Sequence, residues 1–158
     1  MEEIKDRCIS RKEYLKRNNS DVGYALYVQN NIKKDDYARF NTGEIVKVTG
    51  IRENQVNKKA IYFGAYDENW CDSAAVENFS ENIIDLIEVG DIVELELSEE
   101  FVEREDKIVF TRIGDVYTKE LLQRDIDNGI ITKILSILTH EQYEANCYKV
   151  NTKITNLI

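Results

Sequence analysis

Seven carboxylates crowd one short stretch of this chain: Glu94, Glu96, Glu99, Glu100, Glu103, Glu105 and Asp106, with Arg104 the single base among them. Such a block repels phosphate and attracts a surface rich in lysine and arginine. It could also hold a hard divalent cation, but the spacing matches no known calcium loop. Glu94 and Glu96 are two apart in an alternating apolar run, which puts both on the outward face of a strand. Outward charge there would also keep the sheet from pairing with a second copy. Tyr66 and Trp70 are of the types that anchor protein interfaces. Together with the seven acids they form the expected partner-binding set.

Other chemistry is thinly supplied. His140 is the one histidine, and it falls in the first turn of a short helix, where a capping or solvated role is expected. The seven glycines are isolated from one another, so no phosphate-cradling loop is formed. Cys8, Cys71 and Cys147 are odd in number and far apart, which suggests neither a disulfide framework nor a zinc site. Acidic clusters without a surrounding pocket are solvated surface rather than acid–base pairs. The residues therefore predict a protein that is not an enzyme, with no metal and no cofactor.

The charge is unevenly placed. Residues 1–79 hold 13 acids and 13 bases, whereas residues 80–158 hold 17 and 8, which accounts for the whole net charge of −9. That balance disfavours direct binding to nucleic acid, which depends on neutralising phosphates. Only Arg7, Arg11, Lys12, Lys16 and Arg17, with Lys33, Lys34, Arg39, Lys58 and Lys59, could form a basic patch. At 158 residues with 42% hydrophobic side chains, the chain can fill one ordinary core or two very small ones. No apolar run approaches the roughly 20 residues of a membrane span, and the charged opening segment does not resemble a secretion signal. A cytoplasmic protein is expected.

The elements that must position these residues are mainly β. Ser10 and Glu13 form a capping box that starts a helix ended by Asn18-Asn19. Residues 22–28 suit either strand or helix. Residues 44–51 alternate as a half-buried strand and residues 59–63 supply its partner, with a polar hairpin loop at 52–58. Residues 67–72 read as a polar loop and residues 73–79 as a short helical or extended return. Residues 92–97 and 107–111 form a second pair, with the acidic block at the bend. Asn128-Gly129 marks a turn into the strongly β-prone run 130–138. Thr139 and Gln142 cap a helix of about two turns, and residues 147–150 read as a last short strand.

Gly43-Glu44-Ile45-Val46 and Gly90-Asp91-Ile92-Val93 repeat one motif 47 residues apart. A glycine–acid turn often opens a strand that bends around a tight core. The expected architecture is an α+β, mainly β fold of two tandem SH3-like barrels of five short strands each. Its segments are an N-terminal helical part (1–36), a first β module (37–81), a second, acidic β module (82–150) and a tail (151–158).

The stretch Asn82-Ile83-Ile84-Asp85-Leu86-Ile87-Glu88-Val89-Gly90-Asp91, the stretch Ile134-Leu135-Ser136-Ile137-Leu138-Thr139-His140-Glu141-Gln142-Tyr143-Glu144 and the opening Tyr37-Ala38-Arg39-Phe40-Asn41-Thr42-Gly43 carry a resemblance. The chain resembles small uncharacterised proteins of phages and prophages of low-GC Gram-positive bacteria. It departs from them at the acidic block, where relatives have a short glycine-containing turn. The resemblance implies a phage origin and a small barrel but transfers no catalytic residue. By association it suggests an inhibitor of a host defence complex such as a CRISPR nuclease, acting through the acidic surface on a basic nucleic-acid-binding groove. The alternative is a barrel that sequesters a small ligand or nucleotide between its modules, with Arg52, Tyr62, Tyr66 and Trp70 as walls.

Overall fold

The structure is a computed structural model and describes residues 7–53, 59–100 and 107–145. It divides into two units, residues 1–86 and 87–158. Both are built from antiparallel strands, with a few short helices.

In the first unit, helix α1 (Arg11–Arg17) is capped by Ser10, whose hydroxyl accepts from the Glu13 amide at 3.1 Å. Helix α2 (Asp21–Asn31) starts at Ser20, which accepts from Gly23 at 2.9 Å. This cap decides between the two readings of residues 22–28 in favour of helix, because it satisfies one of the amides a helix leaves open. Strands β1 (Tyr37–Phe40), β2 (Ile45–Glu53), β3 (Lys59–Phe63), β4 (Asn69–Asp72) and β5 (Val76–Ser80) form one sheet in the order β4-β3-β2-β1-β5. Strand β2 serves two neighbours. Its first half pairs with β1, and its second half pairs with β3 past an irregularity between Val48 and Gly50.

The core of this unit joins Tyr14, Tyr24, Tyr27, Val28 and Ile32 of the helical segment to Ala38, Phe40, Val48, Ile61, Val76 and Phe79 of the sheet. The Tyr14 and Tyr24 rings meet edge-on at 5.4 Å, and the Tyr24 hydroxyl donates to the Ile9 carbonyl at 2.8 Å. A buried tyrosine is tolerated when its hydroxyl is satisfied in this way. Residues 69–72, read as loop from their polarity, form a strand because each pairs with β3 while three of the four side chains stay exposed.

In the second unit, strands β6 (Ile92–Leu97), β7 (Ile108–Arg112) and β8 (Ile131–Leu138) make a sheet of order β7-β6-β8. Five strands were expected here, and the described residues contain three. Much of the remaining length is helix α3 (Lys119–Asp127), capped by Thr118. Asn128-Gly129 is therefore the end of that helix rather than a hairpin. Asn128 stays right-handed while Gly129 takes φ 76°, and the Ile130 amide reaches back to the Asp125 carbonyl at 2.9 Å. Thr139 and Gln142 make the capping box of helix α4 (His140–Ala145), with the Thr139 amide donating to Gln142 at 3.1 Å. Val93, Leu95, Val109, Ile113, Leu122 and Ile131 close the core on Ile87. The expected strand at 147–150, the tail, and much of the 52–58 loop lie outside the described residues.

The two units share one local turn, at positions other than those the sequence motif marks. Gly43 (φ 89°) lies in the β1–β2 turn, whereas Gly90 (φ 100°) lies in the turn that precedes β6. The matching positions are Asp36 and Asp91, an offset of 55 residues. Each is buried and stands just before a strand flanked on both sides. Asp36 Oδ2 accepts from the Lys33 amide at 2.9 Å, and Asp91 Oδ2 from the Glu88 amide at 2.8 Å. Both main chains then bond alike to the next strand: Val48 N to Asp36 O and Ile113 N to Asp91 O, each at 2.8 Å. The other oxygen differs between units. Asp36 Oδ1 takes the Arg7 guanidinium at 2.9 Å, and Asp91 Oδ1 takes the His140 amide at 2.9 Å.

Asp91→Ala strands two backbone donors beneath the surface and should lower unfolding stability by about 3 kcal/mol, with Asp91→Asn losing less. Urea denaturation checks this, and a loss below about 0.5 kcal/mol would show that the turn is held by something else.

Candidate functional site

Strand β6 alternates. Val93 and Leu95 go into the core, while Glu94 and Glu96 between them are half-buried on the opposite face. Their carboxylates accept from hydroxyls of the neighbouring strand. Ser136 donates to Glu94 at 3.0 Å, and Thr132 donates to Glu96 at 3.2 Å. Lys133 stands opposite Glu96 in register, yet the bond Glu96 makes is with Thr132. Hydroxyl donors orient a carboxylate and leave its charge in place. Beyond the strand, Glu99 and Glu100 are exposed at the bend, where the Glu100 amide donates to Ser98 Oγ at 3.2 Å. Glu94 and Glu96 thus share one face of β6, and Glu99 and Glu100 follow just past its end. Glu103, Glu105 and Asp106 lie outside the described residues.

The two aromatic members of the expected set belong to the first unit. Trp70 is 60% exposed on edge strand β4, and Tyr66 is fully exposed. Tyr66 and Asp67 both hold positive φ, 65° and 55°. Asp67 keeps this left-handed turn in place by accepting from the Thr49 hydroxyl and the Arg52 guanidinium. Arg52 also lies over the Tyr62 ring at 4.8 Å, and Tyr62 is the cross-strand partner of Trp70. Arg52, Tyr62 and Trp70 therefore gather on one side of this sheet. The same unit has a cavity of about 430 Å³ lined by Arg11, Val22, Ala25 and Leu26 among others; its helical side became visible only once residues 21–31 were known to be α2.

The basic patch drawn from the sequence is not assembled as expected. Arg39 is fully buried and donates to the Leu86 carbonyl at 2.9 Å. Arg7 is locked on Asp36, and Arg17 bonds Glu13 at 3.2 Å. Arg11 reaches the carbonyls of Ala74 and Val76 at 2.7 and 2.9 Å and covers the Tyr24 ring. These guanidinium groups hold the first unit together, which a reading of charge along the chain does not reveal. Lys58 lies outside the described residues.

Cys8 and Cys71 are half-buried thiols. Burial pushes Cys8 up to about 11 and raises Cys71 as well, so both stay protonated near neutrality. Cys147 lies outside the described residues.

One constellation was missed. The His140 ring lies between two carboxylates, with Nε2 at 3.0 Å from Glu88 Oε1 and 3.1 Å from Glu141 Oε1. The hydrogen bond to Glu88 favours the charged ring and raises the His140 pKa, against a smaller opposing effect of burial. Glu88 and His140 stand 52 residues apart and meet because Asp91 binds both of their amides. Gly90 is required beside them. Its φ of 100° suits glycine, and a Cβ there would come within 3.3 Å of the His140 Cβ. The one available signal was the pair of capping residues that placed His140 at a helix start.

No helix among the described residues is long and apolar enough to cross a membrane. No family model, no curated protein and no solved structure matches the chain.

If Glu94 and Glu96 are surface groups with no part in holding the sheet, the double substitution Glu94→Gln/Glu96→Gln should shift unfolding stability by no more than about 0.5 kcal/mol. A loss above about 2 kcal/mol in thermal or urea unfolding would make them structural.

Proposed function

We propose that this chain is a non-enzymatic, phage-encoded inhibitor that works by protein–protein contact. In this reading it lays the acidic end of its second unit on the basic nucleic-acid groove of a host defence nuclease of the CRISPR type, in the host cytoplasm. The observation that carries the reading is the set Glu94, Glu96, Glu99 and Glu100, which has no lysine or arginine partner among the described residues. Carboxylates left in that condition can replace phosphates against a row of cationic side chains, which gives fast association and salt-dependent affinity. The engagement of Arg7, Arg11, Arg17 and Arg39 inside the first unit agrees with it, since those cations do not offset the acidic end by forming a phosphate-binding face.

We further read both units as SH3-like modules. The support is the shared order of turn, first strand, returning strand and a later strand (β5 or β8) on the far side of the first, together with the division of β2 between two neighbours. Trp70 and Tyr66 of the first unit then serve as an apolar anchor in addition to the electrostatic one.

A second reading rests on Arg52 stacked over Tyr62 opposite Trp70. Flat aromatic and guanidinium surfaces accept a nucleobase, so the first unit could sequester a nucleotide. Exposed Glu53, Glu68 and Asp72 belong to the same segments and oppose a phosphate, which ranks this reading second. Calorimetry against linear and cyclic nucleotides tests it, and absence of heat removes it.

The first reading is tested in a DNA-cleavage assay with a purified CRISPR nuclease from a low-GC Gram-positive host. The parent chain should suppress cleavage. The variant Glu94→Lys/Glu96→Lys/Glu99→Lys/Glu100→Lys should need about tenfold more protein, or more, for the same effect. Equal inhibition by the variant, or none by the parent, overturns the proposal.

A further inference from the structure

We infer that Glu88, His140 and Glu141 form a binding site for a divalent transition-metal ion, of which zinc is the best fit. Their three ligand atoms all lie within 4.8 Å of one another. The nitrogen stands 3.0 and 3.1 Å from the two carboxylate oxygens. Ligands bound to zinc at about 2.0–2.2 Å in a tetrahedron are separated by roughly 3.3 Å, which the two nitrogen–oxygen edges already approach, and the oxygen–oxygen edge of at most 4.8 Å closes by side-chain rotation of the two exposed glutamates. One imidazole with two carboxylates and no thiolate suits zinc, cobalt or nickel better than magnesium or calcium, which take oxygen ligands alone.

The support behind the ligands is independent of them. The carboxylate of Asp91 is fully buried and accepts the amides of both Glu88 and His140, at 2.8 and 2.9 Å. The segment before β6 and the start of α4 are therefore fixed to each other before any ion arrives. Glu141 is the next residue of that helix and adds its oxygen to the same point. Such backing lowers the cost of ordering a site and raises its affinity. Charge acts the same way, because residues 80–158 carry 17 acids against 8 bases and concentrate cations around this unit. The side chains keep 31%, 48% and 28% of their exposure for His140, Glu88 and Glu141. Water can thus complete the coordination, and the bound ion would clip the segment before β6 to the helix that follows β8.

The chain's single histidine makes the test direct. Nitrogen-15 NMR of the full-length protein reads the His140 ring without assignment ambiguity. One equivalent of zinc chloride near pH 7.5 should move the Nε2 resonance, whereas magnesium chloride should not. In calorimetry Glu88→Gln and His140→Gln should each weaken zinc binding by about tenfold or more, while Glu99→Gln/Glu100→Gln leaves it unchanged. Ring nitrogens that stay unmoved by zinc overturn the inference, even where heat is released, since that heat would belong to the cysteines or the general acidic surface. Equal zinc affinity in Glu88→Gln and the parent overturns it as well.

Discussion

In each unit a buried aspartate stands in the turn before a strand that is paired on both sides, and it ties that turn to a distant part of the same unit. A carboxylate removed from water is tolerated only when its oxygens are matched by donors. Asp36 and Asp91 meet this condition with the amide three residues earlier, and each then spends its second oxygen on a distant part of its own unit. In the first unit that part is Arg7, next to the helical segment. In the second it is the first amide of α4. One local turn thus fixes a strand entry and a helix docking together, and breaking it would disturb both.

This arrangement separates the tasks of the two charge types. Arginines in the first unit act as internal struts: Arg7 on Asp36, Arg11 across the Ala74 and Val76 carbonyls at the start of β5, Arg39 buried on the Leu86 carbonyl. Buried or half-buried guanidinium groups make several fixed bonds at once, which suits such work. Among the described residues of the second unit, the carboxylates of Glu94 and Glu96 accept from hydroxyls and Glu99 and Glu100 are exposed, so their field extends into solvent. The imbalance of charge along the sequence therefore reflects a difference in use as well as in number.

Much of this could be read from the residues, for identifiable reasons. Capping boxes announced α1 and α4, because Ser10 with Glu13 and Thr139 with Gln142 satisfy backbone amides locally. The alternation in residues 92–97 announced β6 and the outward side of Glu94 and Glu96. Helix α3 was passed over because its apolar positions are few, and its real marks were Thr118 at the start and Gly129 at the end. Strand β4 was passed over because an edge strand with exposed side chains has no apolar period. The motif at Gly43 and Gly90 marks a shared backbone need without a shared place in the sheet. The meeting of Glu88 with His140 is a long-range consequence of the β6–β8 pairing and of Asp91, and no local pattern encodes it.

The central claim is that carboxylates of the second unit occupy a site on a partner meant for phosphates, and competition measures this most directly. With the chain bound to the nuclease proposed as its target, rising concentrations of duplex DNA should release it, and the release should follow one shared site. A stable ternary complex of chain, nuclease and DNA, with affinity for the chain unchanged by DNA, would contradict the account.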